Sequence, residues 1–362
     1  MTKRKSLGGA IQSLAKRWFI DAFSGMASGL FVTLIAGTIF ALIAKWVGDN
    51  TVGRIINSVA NTAKLLMGAG IGVGIAHALK APKLAMFGGA AAGYIGAFAD
   101  KIIAGTFAPT LAPGNPIGAY IVALIAVELA ILVSGKTKID IILVPMTILI
   151  SASLGIFAAW PVIKFIDLIS KGIEIATAAT PFVMGVVIAV VMGLILTLPT
   201  SSAAIWVAIA ANNPSDTMLL AGGAAVVGCA AHMVGFAIQS FRENKWGGLI
   251  AQGLGTSMLQ IPNLMRHPQI LIPPIIASAI VGPLATCVFK LRCNASGGGM
   301  GTSGLVGVFG TIEASAGIIP DWKLGLGIAL LFFVIPAVVC FFVSEFMRRK
   351  GWIKFGDMKI DT

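Results

Sequence analysis

The chain has 362 residues, 57% of them hydrophobic and 11% charged, with a mean hydropathy of +0.95, where a soluble domain carries roughly 45–50% and 25%. A water-soluble core of this length does not absorb that much apolar surface, so the surplus faces lipid. The net charge of +12 lies at the chain ends and in short loops rather than along one face, which argues against nucleic acid as a partner and for a membrane protein with basic residues beside anionic lipid.

In chain order, the basic start (Lys3, Arg4, Lys5) leads into a segment from Ser6 to Ile20 that sets Leu7, Ile11, Leu14 and Phe19 against Lys16 and Arg17. That pattern suits a helix lying along the membrane surface. The apolar run that follows is too long for a signal-peptide core and is expected to stay as a span. Cutting the apolar runs at charges and prolines to about 20 residues gives about ten spans: 24–44, 55–79, 83–105, 117–134, 139–159, 178–198, 217–240, 269–289, 299–318 and 323–347.

Between the fifth and sixth of these, residues 160–177 mix Lys164, Asp167, Lys171 and Glu174 with apolar residues at helical spacing. This reads as an interfacial helix joining two halves, 24–159 and 178–347, with a basic tail from 348 to 362. Counting crossings puts Lys80 and Lys83, Lys136 and Lys138, and Lys290 and Arg292 on the side of both termini, the cytoplasmic side by the positive-inside pattern. One basic loop, FRENKW at 241–246, falls on the opposite side by this count.

Three apolar segments are too short or too broken for ordinary spans: 199–212, 246–263 and 294–304. Irregular backbone at membrane depth survives only where protein buries it or water lines it, so these segments are where a solute site is expected. Two of them carry hydroxyl clusters, Thr200, Ser201 and Ser202 after Pro199, and Thr302 and Ser303 in GTSGLVGVFGTIEA. The opposing possibility is that such hydroxyls bond to carbonyls of their own helices. Asn263 and Asn294 stand at the edges of the broken segments, and His232 and Gln239 lie seven residues apart on one helical face.

Glu128 and Glu313 are carboxylates inside apolar runs, where a charge costs at least about 2.5–3.5 kcal/mol. Glu313 lies beside a Gly-rich break and is the stronger site candidate, whereas Glu128 also suits pairing with a Lys or a helix contact. His77 and His267 sit near loops. The run GMGTSG at 299–304 matches a dinucleotide fingerprint in letters only, because no strand precedes it. Most glycines, such as Gly68, Gly70, Gly72, Gly74, Gly88, Gly89, Gly93 and Gly96, read as close helix packing. Cys229, Cys287, Cys293 and Cys340 have no ligand spacing and read as apolar packing residues. No metal site, ATP-binding loop, catalytic triad or cofactor site is legible.

The stretches GNPIGAYIVALIAVELAILVSGKTKIDIILVP (114–145), LPTSSAAI (198–205), IQSFRENKWGGLIAQGLGTSMLQIPN (238–263) and NASGGGMGTSGLVGVF (294–309) resemble the phosphotransferase-system EIIC-like membrane family, which includes proteins similar to the perfringolysin regulator. The resemblance covers nearly the whole chain. It implies an all-α polytopic membrane protein of ten spans in two halves with re-entrant hairpins, in a bacterial inner membrane, usually a homodimer, that passes a sugar by an elevator-like movement.

Sugar components of the related glucose group carry a Gly-Ile-Thr-Glu-Pro block whose Glu contacts sugar hydroxyls. Here residues 310–314 read Gly-Thr-Ile-Glu-Ala, with Thr311 and Ile312 transposed and the proline replaced by Ala314. No phosphorylatable IIA or IIB domain follows the last span in this sequence, so a separate IIB-type partner supplies phosphate or the protein works without it. The expected substrate-binding set is Thr200, Ser201, Ser202, His232, Gln239, Asn263, Asn294, Thr302, Ser303 and Glu313, and no residue is expected to be catalytic. The expected function is carriage of a small polar solute across the membrane. The alternative is a sensor of the same fold that signals to a cytoplasmic partner. An intramembrane enzyme ranks third, for want of a nucleophile and base.

Overall fold

The computed structural model describes residues 7–107, 114–198 and 201–360. All the secondary structure among them is helical apart from one isolated bridge between Ala316 and Ile319. By length and composition six helices are able to cross a membrane. They are α1 (Gln12–Val47), α5 (Pro116–Val133), α6 (Asp140–Ala179), α9 (Asp216–Gln239), α10 (Pro268–Phe289) and α12 (Asp321–Arg349). A seventh span is formed if α2 (Thr51–Leu65) and α3 (Met67–Ala78), bent by 54° at their junction, are counted as one. The remaining helices that matter here are α4 (Lys83–Ala97), α7 (Pro181–Thr197), α8 (Ser202–Ala210) and α11 (Val306–Ser315). The chain divides into two compact units, Met1–Asp167 and Leu168–Thr362, and α6 is unbroken through the stretch expected to form a separate linker helix.

In the first unit the glycines form a ladder of close contacts. Gly25 and Gly29 of α1 face Gly74 and Gly70 of α3, while Gly68 and Gly72 of α3 face Gly93 and Gly89 of α4. A side chain at Gly72 would overlap the backbone of Gly89, so the helices touch backbone to backbone, as lipid-embedded helices do when dispersion replaces hydrophobic drive. Glu128 is ion-paired. Its carboxylate accepts from Arg17 Nε at 2.6 Å and from Trp18 Nε1 at 3.1 Å, and Tyr120 donates to the Trp18 carbonyl at 2.7 Å, which fastens the start of α1 to α5.

The second unit is arranged around α9, whose 24 residues are nearly all buried and extend about 36 Å. Its two ends are marked by ion pairs. Asp216 holds Arg292 Nη2 at 2.8 Å at one end, and beyond Gln239 at the other end Glu243 holds Arg348 Nη2 at 2.8 Å. Helix α10 runs antiparallel to α9, because Gln239 donates to the Ile270 carbonyl at its start and Cys293 N–H donates to Leu219 beyond its end. Helix α12 runs parallel to α9, ending where Arg348 donates to the Gln239 carbonyl.

Against this frame three segments enter the unit and leave at the end they entered. The first, 181–213, starts beside Thr286, which donates to Pro181 O, and reaches His232 through Gly193 and Thr197. Through α8 it then returns to Asn213, which bonds Ser170 and Glu174 just before Asp216. The second, 241–266, enters at the Glu243 end, touches Thr197 through Ser257, and returns to Asn263, which donates to the Lys359 carbonyl of the C-terminal tail. The third, 292–315, enters beside Asp216, turns through three left-handed residues (Gly301, Gly304, Leu305), and returns so that Ser315 Oγ accepts from Arg292 N–H and donates to Arg292 O.

Of the ten expected spans, 178–198 and 299–318 are therefore limbs of hairpins that leave at the end they enter, and 83–105 holds the 15-residue α4, which is not among the six or seven helices long and apolar enough to cross. The side assignments between the two limbs change accordingly. FRENKW lies at the same end of the unit as the basic tail, with Arg242 on Glu345 at 2.9 Å. Lys290 and Arg292 lie at the opposite end from that tail. Exposed Trp246 and Trp352 mark the tail end and exposed Trp322 the Asp216 end, as aromatic residues do at membrane boundaries. In protein lacking the exposed Cys287, single cysteines at 246 and 352 should react with an impermeant maleimide from the same side of the membrane, and one at 322 only from the other. Labelling of 246 and 322 from one side would restore the ten-span count.

Candidate functional site

The inner ends of the hairpins converge on His232, sixteen residues and about 24 Å into α9. Thr197 Oγ1, at the end of α7, lies 3.0 Å from His232 Nδ1 and 3.1 Å from Ser257 Oγ, and it also donates to the Gly193 carbonyl at 3.1 Å. Thr302, at the turn of the third hairpin, donates to the Gly253 carbonyl of the second at 2.6 Å. All four of these side chains are buried.

The proton count at this cluster is informative. A threonine hydroxyl has one hydrogen and two acceptor lone pairs. With that hydrogen on Gly193 O, Thr197 accepts from both Ser257 and His232 Nδ1–H. His232 Nε2 is then a bare acceptor. With the hydrogen on Nδ1 instead, Nε2 carries the ring proton. In either arrangement Nε2 is buried with no partner among the described residues, packed where a methyl group on Gly193 would overlap the ring. Trp206 Nε1 of α8 is a second buried polar atom with no partner among the described residues, set against Gly298 of the third hairpin. An unmade hydrogen bond at such a place costs about 1–3 kcal/mol.

The expected residues separate into three groups. Ser202, His232 and Thr302 belong to the convergence, with Ser202 Oγ donating to Gly299 O at 2.6 Å, while Ser201 caps α8 by accepting from Ala204 N–H at 3.2 Å. Ser303 is half-buried on the turn beside Thr302, and Thr200 lies outside the described residues. Asn294 and Glu313 form a separate pair, Nδ2 to Oε2 at 2.6 Å, on the limbs of the third hairpin near the Asp216 end. Given the contacts of Cys293 with Leu219 and Gly222, this pair lies roughly 15–20 Å along α9 from His232.

Gln239 and Asn263 are not at the convergence. Gln239 donates from Nε2 to Ile270 O near the tail end, and its Oε1 is buried there with no partner among the described residues. Asn263 bonds Gln260 and Lys359 at the tail end. The shared helical face of His232 and Gln239 concealed about 10 Å of separation in depth. Thr197, Ser257 and Trp206 were not among the expected residues. Thr197 closes an apolar run with no polar neighbour before it, so only its position ahead of Pro199 signalled a helix ending inside the membrane.

Taken together, the fold and this cluster define a polytopic helical membrane protein with polar re-entrant hairpins. The model of the phosphotransferase-system EIIC family matches residues 20–360, and the chain belongs to that family of membrane components of sugar transport. No curated protein and no solved structure matches it.

Replacing Thr197 by Val keeps the shape and strands His232 Nδ1 and Ser257 Oγ. We expect it to destabilise the chain by about 1–3 kcal/mol, seen as a lower thermal unfolding midpoint in detergent, with Thr197→Ser restoring most of the loss. An unchanged midpoint would mean that these contacts do not hold the hairpins together.

Proposed function

We propose that the chain binds a small polar solute, a sugar or sugar derivative, among the inner ends of its three hairpins and carries it across the membrane by moving them. The observation that carries the reading is His232 Nε2, a buried polar atom with no partner among the described residues at the point where hairpins from both ends of the unit meet. A solute hydroxyl serves it in either tautomer, since a hydroxyl both donates and accepts. The surrounding hydroxyls of Thr197, Ser257 and Thr302 now satisfy one another and backbone carbonyls, and they exchange those bonds for solute bonds at little net cost. In this arrangement the site is closed.

Asn294 and Glu313 form a shallower station toward the Asp216 end. Membership of the EIIC family supports sugar as the solute class, and the transposed Gly310–Ala314 block supports a contact set of this chain's own. The basic tail and FRENKW together support a cytoplasmic position for that end of the second unit by the positive-inside rule, and in the first unit Lys80, Lys83, Lys136 and Lys138 support the same reading of the end that bears them. The reading includes a homodimer and a separate IIB-type protein as phosphate donor.

The test is a panel of sugars, sugar acids and nucleosides assayed for binding to purified protein and for uptake into vesicles, with and without a IIB-type protein. We expect His232→Leu and Glu313→Gln each to weaken binding by about 3- to 10-fold, the loss of one ordinary hydrogen bond. The two stations are too far apart for one small solute to bridge, so each variant should weaken binding at its own station only, and the losses should not multiply in the double variant. Absence of saturable binding across the panel would overturn the reading. Wild-type affinity in both variants would remove the two residues from the site.

A further inference from the structure

The C-terminal tail after Arg349 closes over the second hairpin with its own backbone. The Met358 carbonyl accepts from Asn244 Nδ2 on the entering limb at 2.8 Å and from Gln260 Nε2 on the returning limb at 3.0 Å. Ile360 N–H donates to Asn244 Oδ1 at 2.9 Å, and Asn263 Nδ2 donates to Lys359 O at 2.8 Å. One short stretch of tail thus bridges both limbs of one hairpin at its mouth.

The bridge is continued inward by side chains. Gln260 donates to Gln252 Oε1 at 2.8 Å, and Gln252 donates to Ser240 Oγ at 2.8 Å, with all three side chains buried. Gln252 lies within the π-helical segment Ala251–Gly255 that leads to Ser257. The tail is held in turn by the Met358 side chain, fully buried in a cluster with Phe236, Leu264, Ile270, Met347 and Ile353. Hydrogen bonds of this kind are individually modest, so the arrangement suits a fastening that opens and re-forms.

We infer that residues 351–360 are a latch on the 241–266 hairpin, holding Ser257 against Thr197 while fastened and letting the hairpin withdraw from the site toward the tail end when released. The inference rests on the proposed solute site only for what the movement achieves. The movement itself is tested without solute.

Full-length wild type, Met358→Asp, Met358→Leu and the double variant Asn244→Ala with Asn263→Ala are compared by backbone hydrogen exchange in detergent. Release of the latch predicts at least tenfold faster exchange across 247–260 in Met358→Asp and in the asparagine double variant. Exchange within α7 and α10 should be unchanged, and Met358→Leu should behave as wild type. No acceleration, or equal acceleration in α7 and α10, overturns the latch, the second outcome marking the tail as ordinary core. Uptake into vesicles should rise at least threefold in Met358→Asp, and an unchanged rate alongside faster exchange overturns the latch as a control on transport. Failure of wild type to bind any solute counts against the proposed function and leaves the exchange result standing on its own.

Discussion

A polypeptide that turns back inside a bilayer must find partners there for the amides and carbonyls its helices leave unpaired, since no water is present to take them. Three segments of this chain turn back in that way, and most of the polar side chains at their inner ends answer this demand. Ser201 caps the amide of Ala204 and Thr256 that of Met258, while nearer the Asp216 end Asn294 caps that of Gly297. Ser202 and Thr302 take carbonyls on neighbouring hairpins. The hairpins satisfy one another, so their arrangement is cooperative, and withdrawing one exposes groups on the other two. At the inner ends of the hairpins, what the mutual satisfaction leaves over among the described residues is His232 Nε2 and the indole N–H of Trp206.

Helix α9 makes this possible through its composition. The stretch from Ala221 to Ala237 is rich in Gly and Ala, and the hairpins approach it to backbone contact. Gly228 lies against Ala189, Gly223 against Leu291, and the Gly301 turn against Cys229 and Ala230. A larger side chain at any of these points would hold a hairpin off and strand its polar ends. Helix α12 shows the opposite design, with exposed Val334, Val338, Phe342 and Phe346 on its outer surface. Both are apolar enough to cross the membrane, and small residues at regular spacing separate the central helix from the lipid-facing one.

Much of this was legible in the sequence. The apolar surplus defined the class, and the broken segments at 199–212, 246–263 and 294–304 contain the hairpin ends that meet at the candidate site. Depth was not legible. A helical face relates His232 to Gln239 by angle and says nothing of how far along the axis a partner approaches, so Gln239 and Asn263 were grouped with residues that they do not reach. Thr197 and Ser257 were passed over for the converse reason. Thr197 is a single hydroxyl closing an apolar run, and Ser257 beside Thr256 has no partner visible in the sequence; each becomes notable only when a second chain segment arrives opposite it.

The span count failed for a reason that the basic loops had already registered. A hairpin limb of 15–20 apolar residues resembles a crossing in composition, yet it returns the chain to the end it left. Reading α7 as a crossing inverts every later loop until a second misread limb, the one ending in α11, restores the sense. Only the loops between the two limbs are exchanged, FRENKW at 241–246 and the turn bearing Lys290 and Arg292. The first announced itself as a basic loop on the wrong side. The second did not, because two basic residues on the expected cytoplasmic side attract no attention, although Arg292 is neutralised by Asp216 and so weighs little in the charge balance. In a membrane chain with polar breaks, one basic loop that violates the count is therefore better taken as evidence of an odd number of re-entrant segments before it than as a tolerated exception.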